Sequence, residues 1–396
     1  MSSSPLSKPS AGGADDSTAQ QQQHVRPAAP SAAWRAGSVA TMGFIGLLCR
    51  GFLLGFSNLE VNGLEKFLAL LDKRKDVEGR QRGLVTVSNH VSVLDDPMIW
   101  GALPVSYMFT PDNLRWSLAS HDLAFPNKIL SLFFSLGQTL PTHRLAHSPH
   151  GGLFQPTITQ AIRLLSRAPF PPTPVERTSK PASPSPSLST PDIADPFTSA
   201  ALTYSTTGHD VFPAPSAYLS RRHAWVHIFP EGKVHQKEDR TMRYFKWGVA
   251  RLLLESEPAP DLVPMWVEGP DRVMHESRGF PRFIPRAGKE VSITFGDRVD
   301  TEAVFGDLRA RWRELVRREG TDGAEMGVLS DGLKYGTEAV ELRKECTMRV
   351  RHEVQKVRRA RGFPDEDPKV GLAETWALEG GKKEGKMQDE SWVRDT

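Results

Sequence analysis

Two cysteines in 396 residues, Cys49 and Cys346, are too few for a disulfide framework and offer no metal-ligand spacing. Neither borders a polar motif, so a cysteine nucleophile has no support. The formal net charge of +3 is small, and no basic stripe interleaved with aromatics points to nucleic acid. Walker-type and dinucleotide glycine loops are also absent. Large apolar side chains are almost missing from roughly the first thirty residues, which are mostly Ser, Ala, Pro and Gln. Such a stretch cannot offset its ordering entropy and is expected to be disordered. No arginine precedes Arg26, while Asp15 and Asp16 do, a poor match to an Arg-rich, acid-poor mitochondrial leader. A mitochondrial address would have to be internal.

Low-complexity segments absorb much of the length and leave one folded domain. The expected division is a disordered tail at 1–37, a membrane-associated helix at 38–57 and a folded domain at 58–300. A basic helical region at 301–364 and a disordered tail at 365–396 follow. A Pro/Ser/Thr-rich insertion, expected to be disordered, interrupts the domain at about 170–220.

Val39 to Phe56 is strongly apolar but is split by Arg50. We read it as a helix dipping into one leaflet, with Arg50 reaching for lipid phosphates; a buried core helix and a full span stay open. Its glycines suit close packing. Leu64 to Leu71 reads as an amphipathic helix. Trp116, Phe125, Ile129, Leu132, Phe133 and Leu136 fall at helical spacings, facing core or membrane. Tyr244 to Leu254 reads as a helix flanked by Arg240, Arg243, Lys246 and Arg251, suited to an anionic interface or to the core. Leu262 to Val267 is expected as a buried strand and Val291 to Gly296 as an edge strand. In the basic helices, Val350, Val354 and Val357 form a thin stripe for packing on the domain; docking on anionic lipid is the alternative.

Chemistry concentrates at two strand ends. Leu84-Val85-Thr86-Val87 is an apolar β-branched run that stops at Asn89-His90, and a helix can restart near Ser92 as N-cap. That geometry places His90 and Asp95 on one turn. A histidine held by a carboxylate is the minimum equipment for general-base catalysis. On spacing alone the pair is common. The second cluster, Phe229-Pro230-Glu231-Gly232-Lys233, also follows an apolar strand, Trp225 to Ile228. Two polar turns at strand ends suggest one site at the rim of a sheet.

His90-x-x-x-x-Asp95 together with Phe229-Pro230-Glu231-Gly232 resembles the signature pair of the glycerolipid acyltransferase superfamily. Further blocks are similar to its mitochondrial phospholipid–lysophospholipid transacylase branch: Leu114 to Trp116, Phe133 to Gly137, Phe229 to Val234, Arg243 to Gly248 and Val263 to Trp266. The resemblance runs over roughly residues 40 to 300. It implies an α/β acyltransferase domain, with a mixed central sheet flanked by helices and a groove open to the bilayer. His90 would deprotonate the hydroxyl of a lysophospholipid such as monolysocardiolipin, and Asp95 would orient it. Phe229, Pro230, Glu231 and Gly232 would shape the pocket, while Lys233 and Arg144 would neutralise phosphate. Backbone N–H groups near the turn would bind the oxyanion, and Asp96 would cap or buttress the turn.

The resemblance implies no metal and no soluble cofactor. Its expected partners are membranes containing cardiolipin, phosphatidylcholine and lysophospholipids, and mitochondrial membrane protein complexes. The expected location is peripheral or monotopic on the outer and inner mitochondrial membranes, facing the intermembrane space. An acyl-CoA-dependent acyltransferase would use the same dyad, and a non-catalytic membrane scaffold is the alternative of another class.

Overall fold

A computed structural model describes residues 30–145, 147–170, 193–206, 210–320 and 326–377. The expected disorder at 1–29, 171–192, 207–209 and 378–396 lies outside the described residues. Among those described, seven strands form one sheet: β1 (Ser57–Asn62), β2 (Leu84–Ser88), β3 (Arg115–Ser120), β4 (Thr139–Thr142), β5 (Trp225–Ile228), β6 (Asp261–Glu268) and β7 (Lys289–Phe295). Their order is β1-β7-β6-β2-β5-β3-β4, and every pair is parallel except the antiparallel β6–β7. The sheet is mixed and the fold α/β. β2 and β5 are buried along their whole lengths, as central parallel strands are when both faces are covered.

Among the described residues, the longer helices are α1 (Ala32–Phe56), α2 (Leu64–Lys73), α3 (Asp95–Gly101), α4 (Lys128–Leu136), α5 (Pro156–Leu165), α6 (Gly248–Glu255), α7 (Thr301–Arg318) and α8 (Thr337–Ala360). Strand alternation sends Val85, Val87, Val226 and Ile228 into one core with α5 to α8. Leu84, Trp225, Val263 and Met265 enter a second core with α1, α2 and α3.

Several expectations change. Lys289–Phe295 is interior, because β1 pairs with it on one side and β6 on the other. β1 follows directly on the apolar α1, so its own alternation is masked in the sequence. α1 starts at Ala32, with Ser31 Oγ accepting from Trp34 N at 3.2 Å. What orders that start is tertiary: Trp34 Nε1 donates to the Tyr218 hydroxyl at 2.9 Å. Parts of the expected 170–220 insertion also fold onto the domain. Phe197 is fully buried, and Thr203–Tyr204 pairs with Phe212–Pro213.

The expected helix at 244–254 begins only at Gly248, and its remaining residues are buried, so it is a core helix and not an interfacial one. Arg251 is spent on Glu255 at 2.6 Å. The stripe of α8 packs inward, and Arg343, Arg351 and Arg358 are buried with it. Those arginines face the domain, which leaves them no membrane to dock on. The segment from 365, expected as tail, carries a 3-10 turn at Pro368–Gly371 and a helix at Ala373–Ala377.

Arg50 does not reach outward for phosphates. Its Nη1 donates to the carbonyls of Leu103 at 2.9 Å and Ala102 at 3.3 Å, just past the C-terminus of α3. A cation there satisfies orphan carbonyls and the negative end of the helix dipole. The close seat depends on Gly101, where a Cβ would lie 2.8 Å from Cys49 Cβ and 3.1 Å from the Arg50 backbone nitrogen. Backbone cannot yield as a flexible side chain does. Gly101→Val is therefore expected to cost about 1–3 kcal/mol by overpacking and to slow turnover through α3, which begins at Asp95; an unchanged melting temperature would contradict this.

Candidate active site

β2 ends at Ser88, and the chain turns through His90 to Leu94 before α3 begins. Ser92 is not the N-cap: Leu94 holds that position, and Ser92 Oγ accepts from Leu94 N at 3.3 Å. The turn is organised by Asp95 instead. Its Oδ2 accepts from Val91 N at 2.6 Å and Ser92 N at 2.9 Å, and lies 2.9 Å from His90 Nδ1. Asp95 is fully buried, whereas the His90 side chain is 21% exposed. Burial pushes the Asp95 pKa up, and the His90 ring and the two amides pull against that shift. A carboxylate at Nδ1 selects the tautomer protonated there, so Nε2 is left as the acceptor. The His90 ring stacks on Phe229 at 4.3 Å between centroids, which fixes its plane.

Glu231 joins the two strand ends. Its Oε1 accepts from His90 N and its Oε2 from Arg243 N, both at 2.8 Å. Burial raises its pKa to about 8, against the two amide donors. Lys246 N donates to Pro230 O at 2.7 Å, and His235 N donates to His90 O at 2.8 Å. Gly232 has φ +62°, and a Cβ there would lie 3.0 Å from the Lys246 side chain, so the turn requires glycine. Lys233 is half-buried in this loop.

The raised Glu231 pKa carries a stability prediction. The folded chain binds this proton more tightly than the unfolded chain does. The contribution is therefore full below the ordinary value of 4.5 and declines as pH rises toward about 8. The melting temperature of the native protein should fall more steeply between those limits than that of Glu231→Gln. Parallel curves would refute it.

The structure brings His90, Asp95, Phe229, Pro230, Glu231 and Gly232 together and leaves Arg144 apart. Arg144 follows β4, three strands from β2 and so roughly 14 Å along the sheet. Its fork is closed on Asp122, with Nε at 3.0 Å from Oδ1. A phosphate would have to displace that carboxylate. Asp96 does not cap the turn: it accepts from Trp100 Nε1 at 2.7 Å and pairs with Arg115, tying α3 to β3. Side chains adjacent on a helix point apart, which is why it cannot duplicate Asp95. The amides expected to bind an oxyanion are also committed. Those of His90, Val91, Ser92, Leu94 and Asp95 all have acceptors within the protein.

Asn89 is a contributor that sequence reasoning missed. Its carboxamide donates to Val267 O and accepts from Val267 N, both at 2.8 Å, clamping the ends of β2 and β6. A polar side chain closing a buried strand beside His90 was the available signal.

A tafazzin of Saccharomyces cerevisiae is 34% identical over 328 residues, spanning 81% of this chain and 77% of that protein. The chain belongs to the tafazzin family. A Drosophila melanogaster tafazzin is 30% identical, over 71% of this chain and 56% of that protein. An N-acylphosphatidylethanolamine synthase of Arabidopsis thaliana is 27% identical, over 57% of this chain and 59% of that one. No family model matches. As a member of the tafazzin family the chain is a lipid acyltransferase.

The surface of this tafazzin-family chain is compatible with membrane association. α1 is long and apolar enough to cross a bilayer, and it exposes Phe44, Leu47, Leu48, Leu54 and Phe56. α4 lies beside it, with Ser38 Oγ bonded to Leu136 O, and exposes Ile129, Leu132 and Phe133. Contiguous exposed apolar surface of this kind marks an interaction site.

Proposed function

We propose that this chain is a phospholipid–lysophospholipid transacylase that needs no CoA. It would remodel cardiolipin by moving acyl chains from phospholipids such as phosphatidylcholine to monolysocardiolipin. The observation that carries the reading is His90 Nδ1 held by the buried Asp95, with the ring still partly open to solvent. In this mechanism Nε2 takes the proton of the acceptor hydroxyl. The alkoxide attacks the donor's ester carbonyl, and Asp95 stabilises the imidazolium that forms. The tetrahedral intermediate collapses, and the departing lysophospholipid oxygen takes the proton back from His90. Catalyst and proton balance are restored without a soluble cofactor.

Independence from CoA rests on the similarity of the flanking blocks, above all Arg243 to Gly248, to the transacylase branch. The apolar faces of α1 and α4, with Val93 exposed on the dyad turn itself, support delivery of both lipids from one bilayer. The corresponding site of action is the mitochondrial outer and inner membranes, on the side of the intermembrane space.

The test is transfer between lipids. Purified protein is given liposomes of acyl-labelled phosphatidylcholine and monolysocardiolipin, with and without acyl-CoA. Label entering cardiolipin without CoA is expected. Transfer that occurs only with acyl-CoA would place the chain in the CoA-dependent branch, with the same dyad. No transfer under either condition, with vesicle binding intact, would leave a scaffold.

A further inference from the structure

Behind the dyad turn lies a group of basic side chains that acyl transfer leaves unused. Arg243 is 2% exposed, and its Nε and Nη2 have no hydrogen-bond partner among the described residues. A buried guanidinium with open donors is costly, and π-faces return only part of that cost. The faces here belong to Tyr244 and Trp376, each with its ring centre 5.0 Å from the guanidinium carbon. Trp376 also meets Lys237 Nζ at 5.0 Å and the edge of the His235 ring at 5.2 Å. Burial, then Lys237 and Arg243, hold the His235 pKa down at about 4. Basic groups thus converge on one indole.

That indole sits on a short C-terminal segment. Trp376 sits on the short helix Ala373–Ala377, and its Nε1 donates to Val370 O of the same segment at 2.8 Å. Its apolar contacts form a small cluster of Tyr244, Ala373 and Val370, separate from both cores of the sheet. The loop beneath is the one that holds His90, through Arg243 N to Glu231, Glu231 to His90 N, and His235 N to His90 O.

We propose that Arg243 and Lys237 form a phosphate-binding site covered by Trp376, and that a phosphate group entering it displaces Val370–Ala377. The proposal rests on the lipid acyltransferase reading for its natural ligand, a phospholipid headgroup; soluble phosphate shares the chemistry and is tested beside it. A buried guanidinium with open donors, beside the exposed ammonium of Lys237, suits a phosphate, and its arrival replaces the π-contacts with charge-assisted hydrogen bonds.

Amide hydrogen exchange over 370–377 reads the displacement without needing turnover, so it can be run on the full-length His90→Ala variant. Failure of His90 as the base therefore leaves this test intact. Exchange is expected to rise with vesicles of phosphatidylcholine and monolysocardiolipin, and to stay unchanged with vesicles of phosphate-free galactolipid. Arg243→Gln should abolish the rise. A rise with inorganic phosphate but not with vesicles would keep the site and overturn its lipid source. No change with either phosphate source, or a rise that survives Arg243→Gln, would overturn the proposal. Trp376→Ala gives a second reading: with the cover gone, KM for the lysophospholipid should fall roughly threefold or more at similar kcat. An unchanged KM would count against the cover.

Discussion

Replacing His90 with alanine is expected to lower acyl transfer about a thousandfold, within the range that a positioned general base supplies. The fold should survive, because the ring is partly exposed and its loss leaves Val91 N and Ser92 N still bonded to Asp95. Vesicle binding should survive too, since the apolar residues of α1 and α4 are untouched. Asp95→Asn tests the other half of the dyad. It removes the charge that stabilises the imidazolium, and comparable hydrolytic sites lose up to about ten-thousandfold in this way. Initial rates on labelled vesicles, with vesicle flotation and thermal melting as controls, separate the outcomes. A His90→Ala rate within about tenfold of the native one would remove His90 as the base.

The largest expected loss of stability comes from Glu366→Ala. Glu366 is buried against two buried arginines, bonding Arg351 Nη2 and lying 3.4 Å from Arg358 Nε. It also accepts from Met242 N at 2.7 Å and Gln355 Nε2 at 3.1 Å. Removing one carboxylate therefore strands two cations and a backbone donor. Breaking a buried pair from one side costs about 3–5 kcal/mol, which corresponds to a melting shift of roughly 10 °C in a domain of this size. The damage should reach the site, because Met242 precedes Arg243, whose amide holds Glu231, which holds His90. Transfer by Glu366→Ala should fall even below the melting transition. A melting temperature within about 2 °C of native would show the pair to be dispensable.

These two residues mark the limit of what could be read from the chain. His90 and Asp95 were legible because they are five positions apart, and a local turn suffices to bring them together. Glu366 was not. It stands in a polar, Pro-containing stretch that reads as tail, and the groups that give it a reason to be ordered, Arg351, Arg358, Gln355 and the amide of Met242, belong to other segments. Arg50 failed in the same way. A lone arginine in an apolar run reads as reaching for lipid phosphate, yet its acceptors are carbonyls about fifty positions away.

What the sequence determined by itself is whatever short-range chemistry and periodicity carry. That covers the apolar strands, the amphipathic α2, the dyad turn and the family resemblance of the motif blocks. Tertiary structure decided the partners. It set which carboxylate closes Arg144, that Glu231 fastens His90 to Arg243, and that Lys289–Phe295 is interior. It also decided that the C-terminal segment covers a buried guanidinium. The physical reason is that a charged or hydrogen-bonding side chain takes its role from the group that compensates it on burial. In this fold that group sits on a distant segment of the chain, where no local pattern points to it.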